Sequence, residues 1–233
     1  MAMLPGAAGS PCVRCGLPIE DGQPVDLDHS DDGLGYRGLA HASCNRRAGA
    51  QRRVVLQAAR RHQVLKLENV ALGVEVSSDR LHTSIAAAAR DGDRISVALI
   101  EYLDGTDNAA RIAEIAGMTT QLLGVVIDPR SPAATLIDPL TALEVALVTP
   151  TAHEVAVAHG RFIDELRAGR LKIGDHPQLD AAAQHALTRP LAGGEALDRR
   201  KAFVDSSPLI AAELAIWCVF APPEPTQNPV FWR

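Results

Sequence analysis

The stretch VALGVEVSSDRLHTSIAAAARDGDRISVALIEYL, residues 70–103, decides the fold of the larger part of this 233-residue chain. It contains three largely apolar runs, and the last two are separated by the turn Asp91-Gly92-Asp93. Apolar runs between turn residues are typical of buried strands, and such short connections favour antiparallel pairing. We therefore predict a three-stranded meander that carries Glu75 inside its first strand.

Helix and strand patterns alternate along the chain after the meander. We predict helices in DNAARIAEIAG, at SPAATL with its serine as cap, and in TAHEVAVAHGRFIDELRAG, PQLDAAAQHALTR and SPLIAAELAIWCVF. Apolar runs in LLGVVIDP and EVALVTP predict further strands. A meander followed by this alternation predicts an α/β fold in which helices flank a mixed sheet.

The overall composition limits the classes of function. Aromatic residues make up only 3% of the chain, which disfavours a stacking platform for single-stranded nucleic acid. The net charge of −5 requires any nucleic-acid contact to come from a local patch. The sequence has no signal-peptide pattern and no apolar run of roughly eighteen residues, so we expect no membrane contact and a reducing cytoplasm. Clustered cysteines in that compartment more often bind metal than form disulfides.

The N-terminal fifth of the chain carries a pattern of metal-binding residues. CVRC places two residues between Cys12 and Cys15, and HASC gives the same spacing to His41 and Cys44. Two paired half-sites of this kind predict a closed tetrahedral zinc site, which is structural rather than catalytic. So short and polar a segment cannot easily form a hydrophobic core, and a structural metal would stabilise it.

A second group of polar residues lies between and beside the half-sites. Asp28 directly precedes His29 in DLDH, and Asn45 directly follows Cys44. Carboxylate and amide oxygens suit a hard cation such as Mg²⁺, and a neighbouring imidazole can activate water for attack on a phosphodiester. The alternative is that Asp28 and His29 are ordinary turn residues.

The order CVRC, DLDH, YRGLAHASCN and AGA resembles the HNH endonucleases of the ββα-metal fold, and the recombination endonuclease VII branch in particular. This resemblance covers about residues 12–52. It implies that His29 is the general base and that Asp28 and Asn45 hold a catalytic Mg²⁺. It also implies a zinc site made by Cys12, Cys15, His41 and Cys44. That branch usually has cysteine at the position of His41, and imidazole is a competent zinc ligand.

Basic residues follow the last predicted zinc ligand. Arg46, Arg47, Arg52 and Arg53 lie in a helical pattern without acids. Such a run is often a solvated helix face. Beside an HNH-like module, contact with DNA phosphates is the better interpretation, and we predict it for these four arginines.

Three acids occupy unusual places in the larger part of the chain. Glu75 lies within an apolar strand, Asp128 ends a later one, and Asp205 immediately precedes the last helix. A carboxylate at the end of a buried strand is costly unless it is paired or bound to metal. The three could converge at one end of the sheet and hold two metal ions. Alternatively, Asp128 and Asp205 are helix N-caps, since each is shortly followed by Ser-Pro or Ser-Ser-Pro.

From Glu68 to Trp232 the chain resembles the ribonuclease H-like nuclease domain of phage terminase large subunits. The resemblance is carried by EVSSDRLHTSIAAAARDGDRISVALIEYLDGT, VVIDPRSPAATLIDPL and RLKIGDHPQLDAAAQHALTRPL, and by Asp205 with the SSPLIAAELAIW that follows it. It implies that Glu75, Asp128 and Asp205 chelate two Mg²⁺ or Mn²⁺ ions and that the domain cuts double-stranded DNA during genome packaging. The family normally has aspartate at the position of Glu75.

The phosphate-cradling Gly-rich loop of a packaging ATPase does not occur in the sequence. We therefore expect a phage or prophage endonuclease that acts in the bacterial host cytoplasm and works with a separate terminase ATPase or portal component. The alternative is a non-catalytic DNA-binding or packaging-assembly factor with a zinc module and a weakened nuclease-fold platform. The expected organisation is a flexible leader (1–11), an HNH-like module (12–52), a basic helical linker (53–67), a nuclease domain (68–222) and a Pro-rich tail (223–233).

Overall fold

The computed structural model of the chain describes residues 8–29, 36–50, 62–201 and 203–220. The chain divides into two compact units, Met1–Ala58 and Ala59–Arg233. Several predicted features lie outside the described residues, namely Arg52, Arg53, the Pro-rich tail and most of the leader and basic linker. Within the described ranges, no helix is long and apolar enough to cross a membrane.

The first unit contains a hairpin followed by a helix. Strand β1 (Val25–His29) pairs antiparallel with β2 (Tyr36–His41), and helix α1 begins directly after β2 and includes residues 42–50. The order of elements is therefore β-β-α. Its core is very small, and the buried apolar residues described in it are Cys12, Ile19, Val25, Ala40 and Ala42. So small a core agrees with the expectation that a metal stabilises this unit.

The second unit is built on a mixed six-stranded sheet. Its strands are β3 (Val70–Val76), β4 (His82–Asp91), β5 (Arg94–Asp104), β6 (Leu122–Val126), β7 (Leu147–Val148) and β8 (Leu171–Ile173). Their spatial order is β7-β6-β3-β4-β5-β8. Strands β3, β4 and β5 pair antiparallel, as the predicted meander requires, whereas β3–β6, β6–β7 and β5–β8 are parallel. The predicted mixed sheet is confirmed.

Helices cover both faces of this sheet. One face is packed by α2 (Ala109–Gly117), a 3-10 turn (Pro132–Leu136) and α3 (Ile137–Ala142), and the other by α4 (Ala152–Arg167), α5 (Pro177–Gln184) and α6 (Ser207–Phe220). Alternate residues of β3 and β4 divide between the two cores, as the period of a strand demands. The Ser131 hydroxyl caps the 3-10 turn by accepting a hydrogen bond from the Ala133 backbone N–H, as the serine signal predicted.

The structure differs from the sequence prediction after α5. That helix ends at Gln184, and a hairpin follows, formed by β9 (Thr188–Leu191) and β10 (Gly194–Leu197). Ala192 and Gly193 both have positive φ, the backbone that a two-residue hairpin turn of the primed type requires. The predicted helix PQLDAAAQHALTR was therefore too long, because the turn chemistry of the following Ala-Gly-Gly outweighs the helical pattern before it.

Helix α6 lies directly on the centre of the sheet. Every residue from Ser207 to Val219 is buried, and the helix backbone passes directly over Gly73 of β3. A Cβ atom on Gly73 would stand 1.9 Å from the carbonyl oxygen of Ala211. The absence of a side chain at Gly73 is what allows the helix to approach this strand.

We expect Gly73→Ala to destabilise the second unit by about 1–3 kcal/mol, because helix α6 must move away from β3. Gly160→Ala is the matched control. Gly160 lies on the exposed side of α4, and a Cβ there meets nothing within 4 Å. That change should be neutral or slightly stabilising. Chemical denaturation of the two variants measures the difference, and equal stabilities would contradict the close packing.

A buried ionic hydrogen bond joins α4 to α6. His159 Nδ1 lies 2.9 Å from Glu213 Oε1, and both residues are buried. The hydrogen bond with Glu213 raises the pKa of His159, and the charge of Glu195 acts in the same direction. Burial raises the pKa of Glu213, and His159 only partly opposes that shift. A raised pKa in the folded state means that the group stabilises the fold below its unfolded pKa and loses this contribution as pH rises.

We therefore expect the free energy of unfolding of the second unit to fall as pH rises above 6.5, the ordinary pKa of histidine. The slope should not exceed about 1.4 kcal/mol per pH unit for one proton. Glu213→Gln should flatten this slope because His159 loses its charged partner. His153→Gln, at an exposed position of the same helix, should leave it unchanged. Denaturation curves between pH 6 and pH 9 make the comparison, and parallel slopes for all three proteins would refute it.

Candidate functional site

The four predicted zinc ligands converge in the first unit. Their ligand atoms all lie within 4.8 Å of one another, in a group formed by Cys12, Cys15, His41 and Cys44. His41 Nδ1 lies 3.5 Å from Cys15 Sγ and 3.8 Å from Cys44 Sγ. Tetrahedral zinc with ordinary bond lengths separates a nitrogen and a sulfur ligand by about 3.6 Å. The geometry of this Cys3His group therefore fits a zinc ion.

The electrostatics of the group favour a cation at its centre. Burial opposes ionisation of Cys12, but backbone N–H groups of Arg14, Cys15 and His41 outweigh it and lower the pKa of this thiol to about 6. Burial raises the pKa of the Cys44 thiol, and the neighbouring Cys15 and Cys12 raise it further. A divalent cation would remove this conflict between like charges.

We expect the purified protein to bind one zinc ion per chain through this group. Cys15→Ser should abolish zinc binding and remove the hydrogen-exchange protection of the β1–β2 hairpin, because metal binding and folding are coupled in so small a unit. Cys218→Ala removes the buried cysteine of α6 and should leave the zinc content unchanged. Metal analysis and hydrogen exchange provide the two measurements. A metal-free hairpin with full protection would contradict the assignment.

The residues predicted to bind Mg²⁺ in this unit have other partners. Asp28 is buried and forms an ion pair with Arg14, whose Nη2 donates to Oδ1 at 3.0 Å and whose Nε lies 2.8 Å from Oδ2. Asn45 donates from Nδ2 to Asp26 Oδ2 at 3.4 Å. The backbone of His29 ends β1, and its side chain lies outside the described part of the structure. Asp28 and Asn45 thus have protein partners in this structure, and the catalytic roles of Asp28, His29 and Asn45 remain predictions.

The predicted DNA contacts divide between described and undescribed residues. Arg46 and Arg47 are exposed on helix α1, immediately after Cys44 and Asn45 in the chain. Arg52 and Arg53 lie outside the described residues. The two described arginines are accessible to a phosphate, and their role in DNA binding remains a prediction.

In the second unit, two of the three predicted acids lie close together. Glu75 is the penultimate residue of β3, and Asp128 follows the end of its parallel neighbour β6. Parallel strands bring their carboxyl ends to the same edge of a sheet, so these side chains become neighbours. Both are buried, with side-chain exposures of 0% for Glu75 and 4% for Asp128.

A guanidinium group connects the two carboxylates. Arg199 Nη2 lies 2.8 Å from Glu75 Oε2 and 3.1 Å from Asp128 Oδ2, and Arg199 Nε also donates to Glu75 Oε2, at 3.1 Å. Arg130 binds the other oxygen of Asp128 through its backbone N–H at 3.0 Å and its Nε at 3.2 Å. The remaining oxygen of Glu75 accepts a hydrogen bond from the Val76 N–H.

The charge states follow from these contacts. Burial raises the pKa of Glu75, and Arg199, Ser131 and Val76 oppose that shift. Burial would lower the pKa of Arg199, but Glu75 and Asp128 outweigh it and raise the value. Arg199 therefore stays charged and provides the positive charge that a buried carboxylate needs.

The third acid is placed by a polar network at the start of α6. Asp205 Oδ1 accepts from the backbone N–H of Ser207, the first residue of α6, at 2.9 Å, a local bond between a side chain and the backbone two residues on. Its Oδ2 accepts from the Ser207 hydroxyl at 2.7 Å and from Tyr102 at 3.1 Å. Ser207 also contacts Ser84 at 2.8 Å, and Ser84 is the cross-strand partner of Glu75. The network links Asp205 to the strand pair that carries Glu75, and both interpretations of Asp205, metal ligand and helix cap, remain predictions.

A divalent metal does not fit the three acids as they stand. Among the described residues, the Cys3His group alone brings three or more possible metal ligands close enough together to hold an ion. Carboxylates are the right donors for Mg²⁺ or Mn²⁺. However, the four oxygens of Glu75 and Asp128 already accept hydrogen bonds from Arg199, Arg130 and Val76. The cation in this arrangement is Arg199.

Sequence reasoning missed several of these residues. Arg199 is the first of three consecutive basic residues, Arg199-Arg200-Lys201. Nothing in the sequence distinguishes it as the arginine that points into the protein. Tyr102 and Ser84 carried a usable signal, because each is a polar side chain within a largely apolar strand. That Ser84 and Tyr102 lie opposite each other could be known only from the register in which β4 and β5 pair.

Comparison with solved structures relates this arrangement to known proteins. The large terminase of bacteriophage HK97 gives a TM-score of 0.54 at 17% identity, covering 66% of this chain and 40% of the terminase. The large terminase nuclease of thermophilic phage G20c gives 0.50 at 13% identity, covering 63% of this chain and 80% of the nuclease. The fold is that of the phage large-terminase nuclease domains. The magnesium-bound form of the G20c nuclease gives 0.51 at 12% identity, with coverages of 63% and 79%.

These similarities concern the fold alone at such low identities. The chain spans 40% of the length of the HK97 terminase. No protein-family model matches the sequence. A search of curated proteins finds no match either.

Proposed function

We propose that the protein is a divalent-metal-dependent DNA endonuclease linked to terminase-type genome packaging. The observation that carries the proposal is the meeting of Glu75 and Asp128 at adjacent carboxyl ends of parallel strands, within a terminase nuclease fold. Buried carboxylates at the edge of a sheet are the groups expected to hold the cations of a phosphodiesterase. Its substrate is double-stranded DNA, and its partner is a separate terminase ATPase or portal component.

Within this proposal the residues of the second unit have distinct roles. Glu75 and Asp128 would hold Mg²⁺ or Mn²⁺ once Arg199 releases them, and the ion would supply positive charge to the scissile phosphate. Asp205 completes the set of carboxylates, and Tyr102 and Ser207 fix its orientation through hydrogen bonds. Glutamate at position 75 reaches further than the family's aspartate, and its burial holds the longer side chain in one place.

The first unit is assigned to DNA binding and to a second cleavage centre. The zinc ion of the Cys3His group holds the hairpin and α1 together, and Arg46 and Arg47 contact DNA phosphates from the exposed side of α1. In the HNH interpretation His29 acts as general base, and Asp28 and Asn45 hold Mg²⁺. That role requires Asp28 to exchange its ion pair with Arg14 for the metal.

A specific observation favours a second candidate function. Arginines already neutralise the acids of both proposed centres, Arg14 at Asp28 and Arg199 at Glu75 and Asp128. A protein that kept these pairs permanently would bind DNA without cutting it. It would then be a packaging-assembly factor in which the zinc unit binds DNA and the second unit serves as a non-catalytic platform for assembly.

We expect the full-length protein to nick supercoiled plasmid in the presence of Mg²⁺ or Mn²⁺. Loss of activity in Asp128→Asn and Asp205→Asn would assign cleavage to the second unit. Loss in His29→Ala, by about 100-fold or more for a general base, would assign it to the first. Asp138→Asn and His153→Ala change exposed residues outside both centres and should retain activity. No cleavage by the zinc-loaded wild type with either metal, combined with retained DNA binding, would reject the enzyme in favour of the second candidate.

A further inference from the structure

We propose that Arg199 is an internal counter-cation that gates the acid site, so that a divalent metal binds Glu75 and Asp128 only when Arg199 leaves them. The proposal rests on the function proposed above for this site and concerns its regulation. Its basis is a single nitrogen, Arg199 Nη2, that contacts both carboxylates at 2.8 Å and 3.1 Å. The guanidinium therefore occupies Glu75 Oε2 and Asp128 Oδ2, two oxygens that would have to be released for a divalent cation to bind them.

The charges of the site are balanced with Arg199 in place. With both carboxyl groups ionised, the two negative charges of Glu75 and Asp128 face the two positive charges of Arg199 and Arg130. A divalent cation that entered beside Arg199 would meet like charge in a nearly dry environment, where repulsion is strong. Withdrawal of Arg199 frees Glu75 Oε2 and Asp128 Oδ2 together and leaves the site with a net negative charge. Metal and guanidinium therefore compete for the same two oxygens.

The local backbone explains why Arg199, rather than its basic neighbours, faces the acids. Asp198 follows the end of β10 and is buried, and its Oδ1 accepts from the N–H groups of Arg200 at 3.0 Å and Lys201 at 3.3 Å. This turn directs Arg199 inwards, where its side chain is 14% exposed, while Arg200 and Lys201 are exposed. The short connection that begins here leads to Asp205 and the start of α6.

The chemistry of the guanidinium indicates which ligand displaces it. Arginine binds phosphate through two parallel hydrogen bonds, a geometry equivalent to its pairing with carboxylate. A phosphate of the DNA backbone would accept hydrogen bonds from Arg199, and Glu75 and Asp128 would then be available to hold a divalent metal ion. DNA and metal would then load together, and the protein without DNA would bind metal at this site weakly.

Metal-binding measurements on variants test the gate directly. Mn²⁺ is titrated calorimetrically into the zinc-loaded, full-length wild type, Arg199→Gln, and Arg200→Gln. We expect Arg199→Gln to tighten Mn²⁺ binding by about 10- to 100-fold, the equivalent of losing one or two charge-assisted hydrogen bonds that compete with the metal. Arg200→Gln removes the same charge from an exposed neighbour and should not change the affinity. The double variant Arg199→Gln/Asp128→Asn should lose the gain, which assigns it to this site.

A further variant and DNA complete the test. Arg199→Lys keeps the positive charge but loses the second donor, Nε, that Arg199 directs at Glu75 Oε2, so its Mn²⁺ affinity should lie between those of wild type and Arg199→Gln. Circular dichroism establishes that each variant is folded. Arg199→Gln should lose thermal stability because its carboxylates lack a cation, and Mn²⁺ should restore that stability. In the wild type, a short DNA duplex should tighten Mn²⁺ binding, and in Arg199→Gln it should have little effect.

The outcomes separate the gate from the proposed function. Equal Mn²⁺ affinities for wild type, Arg199→Gln and Arg199→Lys would refute the gate, even if the wild type cleaves DNA. A tighter Arg199→Gln that still cuts no DNA would support the gate and reject the nuclease. Lower stability in Arg199→Gln without any gain in Mn²⁺ affinity would make Arg199 a purely structural residue and would also overturn the proposal.

Discussion

The central constraint on this structure is the need of a buried carboxylate for positive charge. Glu75 is fully buried at the end of β3, where an unpaired charge would be very costly. Arg199, which lies just after β10, supplies that charge to Glu75 and to its neighbour Asp128. The placement of Asp205 depends instead on its hydrogen bonds with Ser207 and Tyr102. The same solution recurs in the first unit, where Arg14 from within the CVRC turn pairs with buried Asp28.

The sheet and α6 hold this edge rigidly in position. Helix α6 can approach β3 because Gly73 has no side chain, and the approach places Ser207 against Ser84 and Asp205 against Tyr102. His159 and Glu213 connect α6 to α4 on its outer side. Packing in the core thus sets the geometry of the acids, and a change at Gly73 would reach the site through α6 rather than through any direct contact.

The sequence predicted the parts of this structure that depend on local pattern. The meander follows from apolar runs and turns, and the Cys3His group follows from two half-sites of equal spacing. The hairpin β9–β10 was missed because its strands are short and its turn begins with Ala192, a residue that rarely adopts positive φ. The acids themselves were found, since charge in or beside an apolar strand is a strong signal. Their partner Arg199 was not, because 124 residues separate it from Glu75 and no local rule distinguishes it from Arg200.

Energetics bear on whether Arg199 merely stabilises the fold. Desolvating two carboxylates and a guanidinium costs several kcal/mol per ion, and their attraction repays that cost only with good geometry. Well-packed apolar side chains at positions 75, 128 and 199 would hold the same strands together at equal or lower free energy. A purely structural platform therefore has no energetic reason to bury Glu75, Asp128 and Arg199 at one point. A metal site does have such a reason. Its carboxylates must remain available for the metal, and a cation such as Arg199 must balance their charge until the metal binds.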